Sequence, residues 1–178
     1  MASHGYVQLF LFGLLCIGAA SAESSTCTLP RGPSGLDINK VYGDWFVGHI
    51  HGPANYTVDK HRCLGSSIKK INETALQIEL DVTASNTLTI ENSENPGAWH
   101  DLDEDSGVQV IYLSADGSAM ELAFCIKNQT APGLLLLSKQ LPLSSGIRAE
   151  IVHAEETAGV GENINFFTWD SEATCPSP

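Results

Sequence analysis

Gly35-Leu36-Asp37-Ile38-Asn39-Lys40-Val41-Tyr42-Gly43-Asp44-Trp45-Phe46 is the stretch whose reading decides the fold. A short, turn-prone approach ends in Gly43, and Trp45 then opens an apolar, strand-like run through Ile50. Glycine permits the tight backbone turn. A tryptophan just beyond it, at the start of a strand, suits the closed end of a small β-barrel, where the indole plugs the floor. Gly43 and Trp45 are therefore candidate floor residues. A core tryptophan after an ordinary turn would look the same, so the rest of the chain has to decide.

Working outward, the chain continues as short strand-like runs separated by turns. His51-Gly52-Pro53-Ala54-Asn55 breaks the first strand and opens a polar loop to about Arg62. Residues 63–71 make a second, loosely patterned strand. Residues 75–83 are the clearest: Leu76, Ile78, Leu80 and Val82 alternate with Gln77, Glu79 and Asp81, the period of a half-buried strand. Further strands are predicted over 87–91, 98–102, 108–113, 119–127 and 134–139, with Asp116-Gly117 as a hairpin signal. After Pro142 the period changes. Ile147, Ile151, Val152, Ala154 and Ala158 fall on one helical face over 147–158, with Arg148, Glu155 and Glu156 on the other. Gly159 stops that helix. The expected fold class is all-β: an eight-stranded up-and-down antiparallel β-barrel with one C-terminal α-helix packed outside.

The chain has 178 residues, which makes one domain the default. Residues 1–22 carry no Asp, Glu, Lys or Arg, are apolar through most of 7–20, and end in Ala20-Ser21-Ala22. They read as a secretory signal peptide, leaving a single domain over 23–178. Nine basic residues against 21 acidic ones give a net charge of −12, and the largest basic cluster is Lys69-Lys70. This argues against nucleic acid or an anionic membrane as partner, and the apolar run is too short to span a membrane. Cys27, Cys63, Cys125 and Cys175 remain after Cys16 leaves with the signal peptide. An even count in a secreted chain implies two disulfides, with three possible pairings. Asn55, Asn72 and Asn128 each head an Asn-x-Thr sequon placed where a loop is expected, and are candidate glycosylation sites.

With this layout the chain resembles the lipocalin family over essentially its full mature length. Three places carry the resemblance: Leu36–Lys40 leading into Gly43-Asp44-Trp45, the hairpin at Leu113-Ser114-Ala115-Asp116-Gly117, and Leu135-Leu136-Leu137-Ser138-Lys139. The family's usual Thr-Asp-Tyr is missing from the second, and Lys139 stands where the family usually has Arg over the floor tryptophan. A lysine there can still make a cation–π contact, without the planar stacking of a guanidinium. Phe166-Phe167 and Ser171-Glu172-Ala173-Thr174-Cys175 are similar to the insect bilin-binding, insecticyanin and apolipoprotein D-like branch. That resemblance implies the disulfides Cys27–Cys125 and Cys63–Cys175.

Other chemistry finds little support. Asp101, Asp103 and Asp105 have the spacing of a calcium loop, but Gly107 comes one place late and Tyr112 stands where a bidentate Glu should be. They read as a solvated rim loop. His49 and His51 share one face of the first strand by simple alternation and read as pocket or rim residues, with no metal expected. No Gly-x-Ser-x-Gly, phosphate loop or His-Glu-x-x-His is present, and paired cysteines leave no free thiol, so no enzyme is expected.

The resemblance implies a secreted protein that binds and carries a small hydrophobic molecule in the barrel, with no certain cofactor. A bilin such as biliverdin, a retinoid, a fatty acid or a hormone are the candidates. The alternative is a secreted protein-binding module of the same fold, a salivary-type inhibitor acting through its loops. Alternation from an inward Trp45 places Val47 and His49 on the inner face as ligand-binding candidates. On the later strands Ile78, Leu80, Val110, Tyr112, Leu122 and Phe124 are placed there with them, Phe124 because its neighbour Cys125 should face outward to reach Cys27, the pairing the resemblance implies. Gly43, Trp45 and Lys139 form the floor.

Overall fold

The computed structural model describes residues 27–52, 61–72, 75–80, 86–92, 97–101, 107–125, 130–160, 167–171 and 174–175, with backbone only for 86–92, 101 and 167–170. The signal segment 1–22, the sequons at Asn55 and Asn128, Asp81, and most of the acidic loop 101–107 lie outside the described residues or their side chains.

A 3₁₀ turn at Ile38–Lys40 precedes β1 (Gly43–Gly52). Then follow β2 (Gly65–Lys70), β3 (Ala75–Leu80), β4 (Asn86–Asn92), β5 (Ala98–Asp101), β6 (Gly107–Leu113), β7 (Ala119–Cys125) and β8 (Gly133–Ser138). Helix α1 (Ser145–Ala158) and a last strand, β9 (Phe167–Asp170), complete the order. Each of β2 to β8 pairs antiparallel with its neighbour in sequence. β1 bonds to β8 over Phe46–His51 and to β2 over Gly43–Phe46, so the sheet curls back on itself as an up-and-down barrel.

The expectation of eight strands needs one correction. Among the described residues there are nine, because β9 pairs with His49–Gly52, the half of β1 that β2 does not reach. An uncovered strand edge is a pairing hazard, and β9 removes it. Cys175, bonded to Cys63 with Cα atoms 5.7 Å apart, holds the chain end there. Cys27 is bonded to Cys125 at the same Cα separation.

The inside of the ring is one apolar cluster that includes Trp45, Val47, Ile68, Leu76, Trp99, Val110, Leu122 and Leu137. The outside of β6, β7 and β8 is largely apolar as well, with Glu121 buried there. There Ile111, Ala123 and Leu134 pack against Leu29 of the N-terminal leader and Val160, while Tyr112, Ala119 and Leu136 pack against Ile151 and Ile147 of α1. This explains the unbroken run Leu134–Leu137: a strand covered on both faces needs no alternation. Helix α1 starts on Ser144, whose hydroxyl accepts from the Ile147 amide, and stops at Gly159 in the left-handed region. Its sequence-predicted faces are partly corrected. Val152 is half exposed, while Glu155, four residues after Ile151, turns toward the barrel wall.

Candidate ligand-binding site

The floor is built from the opening motif. Asp37 caps the 3₁₀ turn by accepting from the Asn39 amide, and Lys40 Nζ donates to the Ala115 carbonyl 2.6 Å away, tying the turn to the β6–β7 hairpin. Gly43 has φ +118°, a conformation L side chains rarely adopt. The buried Trp45 indole donates through Nε1 to the Val41 carbonyl at 3.0 Å. Lys139 Nζ lies 3.8 Å from the Trp45 ring centroid and donates to the Asp44 carbonyl. Burial lowers the Lys139 pKa, opposed by the charge of Asp44.

Six of the eight residues expected on the inner face pack there. Val47, Ile78, Val110 and Leu122 belong to the interior cluster, and the partly buried Leu80 and Phe124 pack against it. Leu80 ends β3 and Phe124 nearly ends β7, which puts both toward the rim away from the floor. Ser66 was not singled out by the sequence. It sits between the interior residues Leu64 and Ile68, is 5% exposed, and its hydroxyl has no hydrogen-bond partner. Trp99, also unremarked in the sequence, fills part of the same interior.

His49 and Tyr112 are corrections: both point to the outside of the barrel. In β1 the register against β8 slips between Val47 and His49, and in β6 the register against β7 slips between Val110 and Tyr112. A bulge inserts one extra residue and reverses the facing of everything after it. In β1 the bulge is at Gly48, where a Cβ would come within 3.0 Å of the Leu136 side chain, so the smallest residue stands at the closest approach. Ile50 accordingly returns to the interior cluster while His49 leaves it.

Outside, these residues meet helix α1. His49 Nε2 lies 2.9 Å from Glu121 Oε1, and the His51 ring stacks on His49 with centroids 4.5 Å apart. Tyr112 donates its hydroxyl proton to Glu150 Oε2 at 2.7 Å. Burial and the neighbouring Glu150 carboxylate push the Tyr112 pKa well up. Glu121 is fully buried on this outer face, and its Oε2 has no hydrogen-bond partner. Burial raises its carboxyl pKa to about 7. Glu155 of α1 is raised to about 7 too, first by burial, then by the Glu121 charge and by a side-chain hydrogen bond with Glu121, with His49 and His51 acting in the other direction. One ligand atom from each of His49, Glu121 and Glu155 lies within 4.8 Å of the others. The sequence held a signal for this group: Ala119, Glu121 and Ala123 form the outward set of β7, and small residues flanking a lone acid mark a covered face.

Asn72 is exposed at the β2–β3 turn, where its side-chain oxygen accepts from the Ala75 amide at 2.8 Å. No helix among the described residues is long and apolar enough to cross a membrane.

No family model and no curated protein matches the chain. Solved structures do. Lipocalin 12 from rat epididymis superposes with a TM-score of 0.61 at 12% identity, over 81% of this chain and 91% of that one. The siderocalin Ex-FABP, described as functioning through dual ligand specificities, superposes with a TM-score of 0.54 at 14% identity, over 78% and 95%. These likenesses give no support to the narrower insect bilin-binding branch. At such identities they show architecture and nothing finer: the chain has the lipocalin fold.

Proposed function

We propose that this protein is a secreted carrier that holds a small hydrophobic molecule inside the barrel. The carrying observation is the inner face itself. Val47, Ile78, Leu80, Val110, Leu122 and Phe124 come from four strands and pack as one apolar surface, with Leu80 and Phe124 still partly accessible. Small-molecule sites are mostly apolar with a few placed polar groups. Ser66 supplies such a group, since a buried hydroxyl without a partner costs free energy that a ligand's polar atom would recover. Two disulfides fit an oxidising, extracellular setting.

The same face favours one ligand class over another. A bilin brings two carboxylates, but His49 faces outward and the Lys139 ammonium is already engaged by Trp45 and the Asp44 carbonyl. A fatty acyl chain or a retinoid, with one small polar head, suits the interior better. Carrying such a molecule needs no catalytic group. Titration with a fluorescent fatty acid and with retinol tests the reading. Saturable binding at micromolar concentration is expected, weakened at least tenfold by Leu80→Glu or Phe124→Asp. Ser66→Ala should weaken only ligands with a polar head. No binding by the wild type would reject the carrier and favour action through the loops.

A further inference from the structure

On the other side of the wall, facing α1, we propose that His49, Glu121 and Glu155 form a binding site for a divalent transition-metal ion of the Zn²⁺ type. Three ligand atoms, one from β1, one from β7 and one from α1, lie within 4.8 Å of one another. His49 Nε2 and Glu121 Oε1 are 2.9 Å apart. Metal–ligand bonds near 2 Å place tetrahedral ligand atoms about 3–3.5 Å apart, so modest side-chain movement would seat an ion among the three.

The second observation is Glu121. Its side chain has no solvent exposure, and Oε2 has no hydrogen-bond partner. A buried carboxylate is retained at low cost only when it is paired, protonated or bound to a metal. Its neighbour is Glu155, another carboxyl group, which shares a side-chain hydrogen bond with Glu121 while one of the two is protonated and adds repulsion when both are ionised. A dication replaces the proton shared by the two carboxyl groups, balances their charges, gives Glu121 Oε2 a partner, and takes the imidazole nitrogen as third ligand.

The donor set chooses the class of ion. One imidazole and two carboxylates suit zinc and its first-row neighbours better than calcium, which takes six to eight oxygens. Three protein ligands leave a coordination position for water or an exogenous group. His51, stacked on His49, restrains the ligating ring. Among the described residues, the charged and titratable groups facing the site include His49 and His51 on β1, Glu121 on β7 and Glu155 on α1. Protons compete with metal for three of these groups, so binding should strengthen as pH rises.

The test is titration of the chelator-stripped full mature chain with CoCl₂ at pH 7.5, followed by ZnCl₂. The expected result is one Co²⁺ per chain with a visible ligand-field band, displaced by one Zn²⁺, and a rise in Tm with either ion. Glu155→Gln should lose the band and the Tm rise, while its Tm in chelator stays at or above that of the wild type. His153→Ala, an exposed histidine on the same helix, should keep both. Should Glu121→Gln unfold the protein, the Glu155→Gln and His153→Ala pair still decides. No band in the wild type, the same stoichiometry in Glu155→Gln, or loss in His153→Ala alone would overturn the proposal. Stability that responds to pH but not to metal would assign the two carboxylates to a shared proton instead.

Discussion

The two faces of the β6–β7–β8 wall solve burial in different ways. The inner face is apolar throughout, with Val110, Leu122 and Leu137 packed against residues from across the ring. The outer face is just as covered, by α1 and the leader, yet it holds Glu121 and Tyr112 among Leu136, Ala123 and Ile151, with His49 of the adjoining β1 against Glu121. Burial on the inside gains free energy from every methylene. Burial on the outside is partly offset by polar groups whose cost is met only when each finds a partner. A face that retains a buried acid against that cost is where a function other than packing is to be sought.

The largest expected effect breaks the inner face. Leu137→Ala removes a fully buried side chain from the main cluster. It should cost about 2–5 kcal/mol in urea unfolding, as large-to-small core substitutions do. Next is the covalent cover of the outer face. Replacing Cys27 and Cys125 by Ala frees the leader that brings Leu29 against Ile111. A loss of about 2–4 kcal/mol is expected, with binding of a hydrophobic probe retained. Loss of binding with stability unchanged would tie the leader to the inner site.

Glu121→Met should have the opposite sign. In metal-free protein at pH 8 it removes a buried carboxylate that faces Glu155 but also leaves His49 without its 2.9 Å contact, so the expected gain is smaller than the roughly 1–4 kcal/mol seen when both members of a buried pair are replaced. The wild type should also show a pH signature. A carboxyl raised from 4.5 to about 7 on folding contributes stability that is fully present below about 4.5 and lost as pH rises through about 7. Glu121→Met should flatten that dependence. A destabilised, still pH-dependent variant would show that the Glu121 environment has been misread. The smallest effect is at the floor. Lys139→Ala should cost about 0.5–2 kcal/mol through the cation–π contact and stem packing over Trp45, and an unchanged Tm would count against the contact.

How legible all this is in the sequence depends on how local the signal is. The floor motif, the alternation of Leu76, Ile78 and Leu80, and the Asp116-Gly117 turn each act over a few residues, and strand placement follows from them. The two bulges are different. Nothing in Val47-Gly48-His49 or Val110-Ile111-Tyr112 announces an extra residue, because a bulge is set by the register against a partner strand far along the chain. Strict alternation therefore carried His49 and Tyr112 to the wrong side, while Leu122 and Phe124, in a strand without a slip, were placed with the interior. The site of His49, Glu121 and Glu155 needs three distant segments to meet, so only its individual members could be noticed: the acid between two alanines, and Glu155 one turn beyond Ile151. β9 likewise exists because β2 leaves half of β1 unpaired, a fact of three-dimensional register.

The central claim is that the inside of the ring, and not its outer groove, receives the hydrophobic ligand. The most direct measurement is a crystal structure of the protein loaded with a brominated fatty acid, with bromine located by its anomalous signal. The account predicts bromine inside the ring of β1 to β8, within van der Waals reach of Leu80 or Phe124. Bromine between α1 and the outer face of β7, or no bound bromine at saturating ligand, would contradict it.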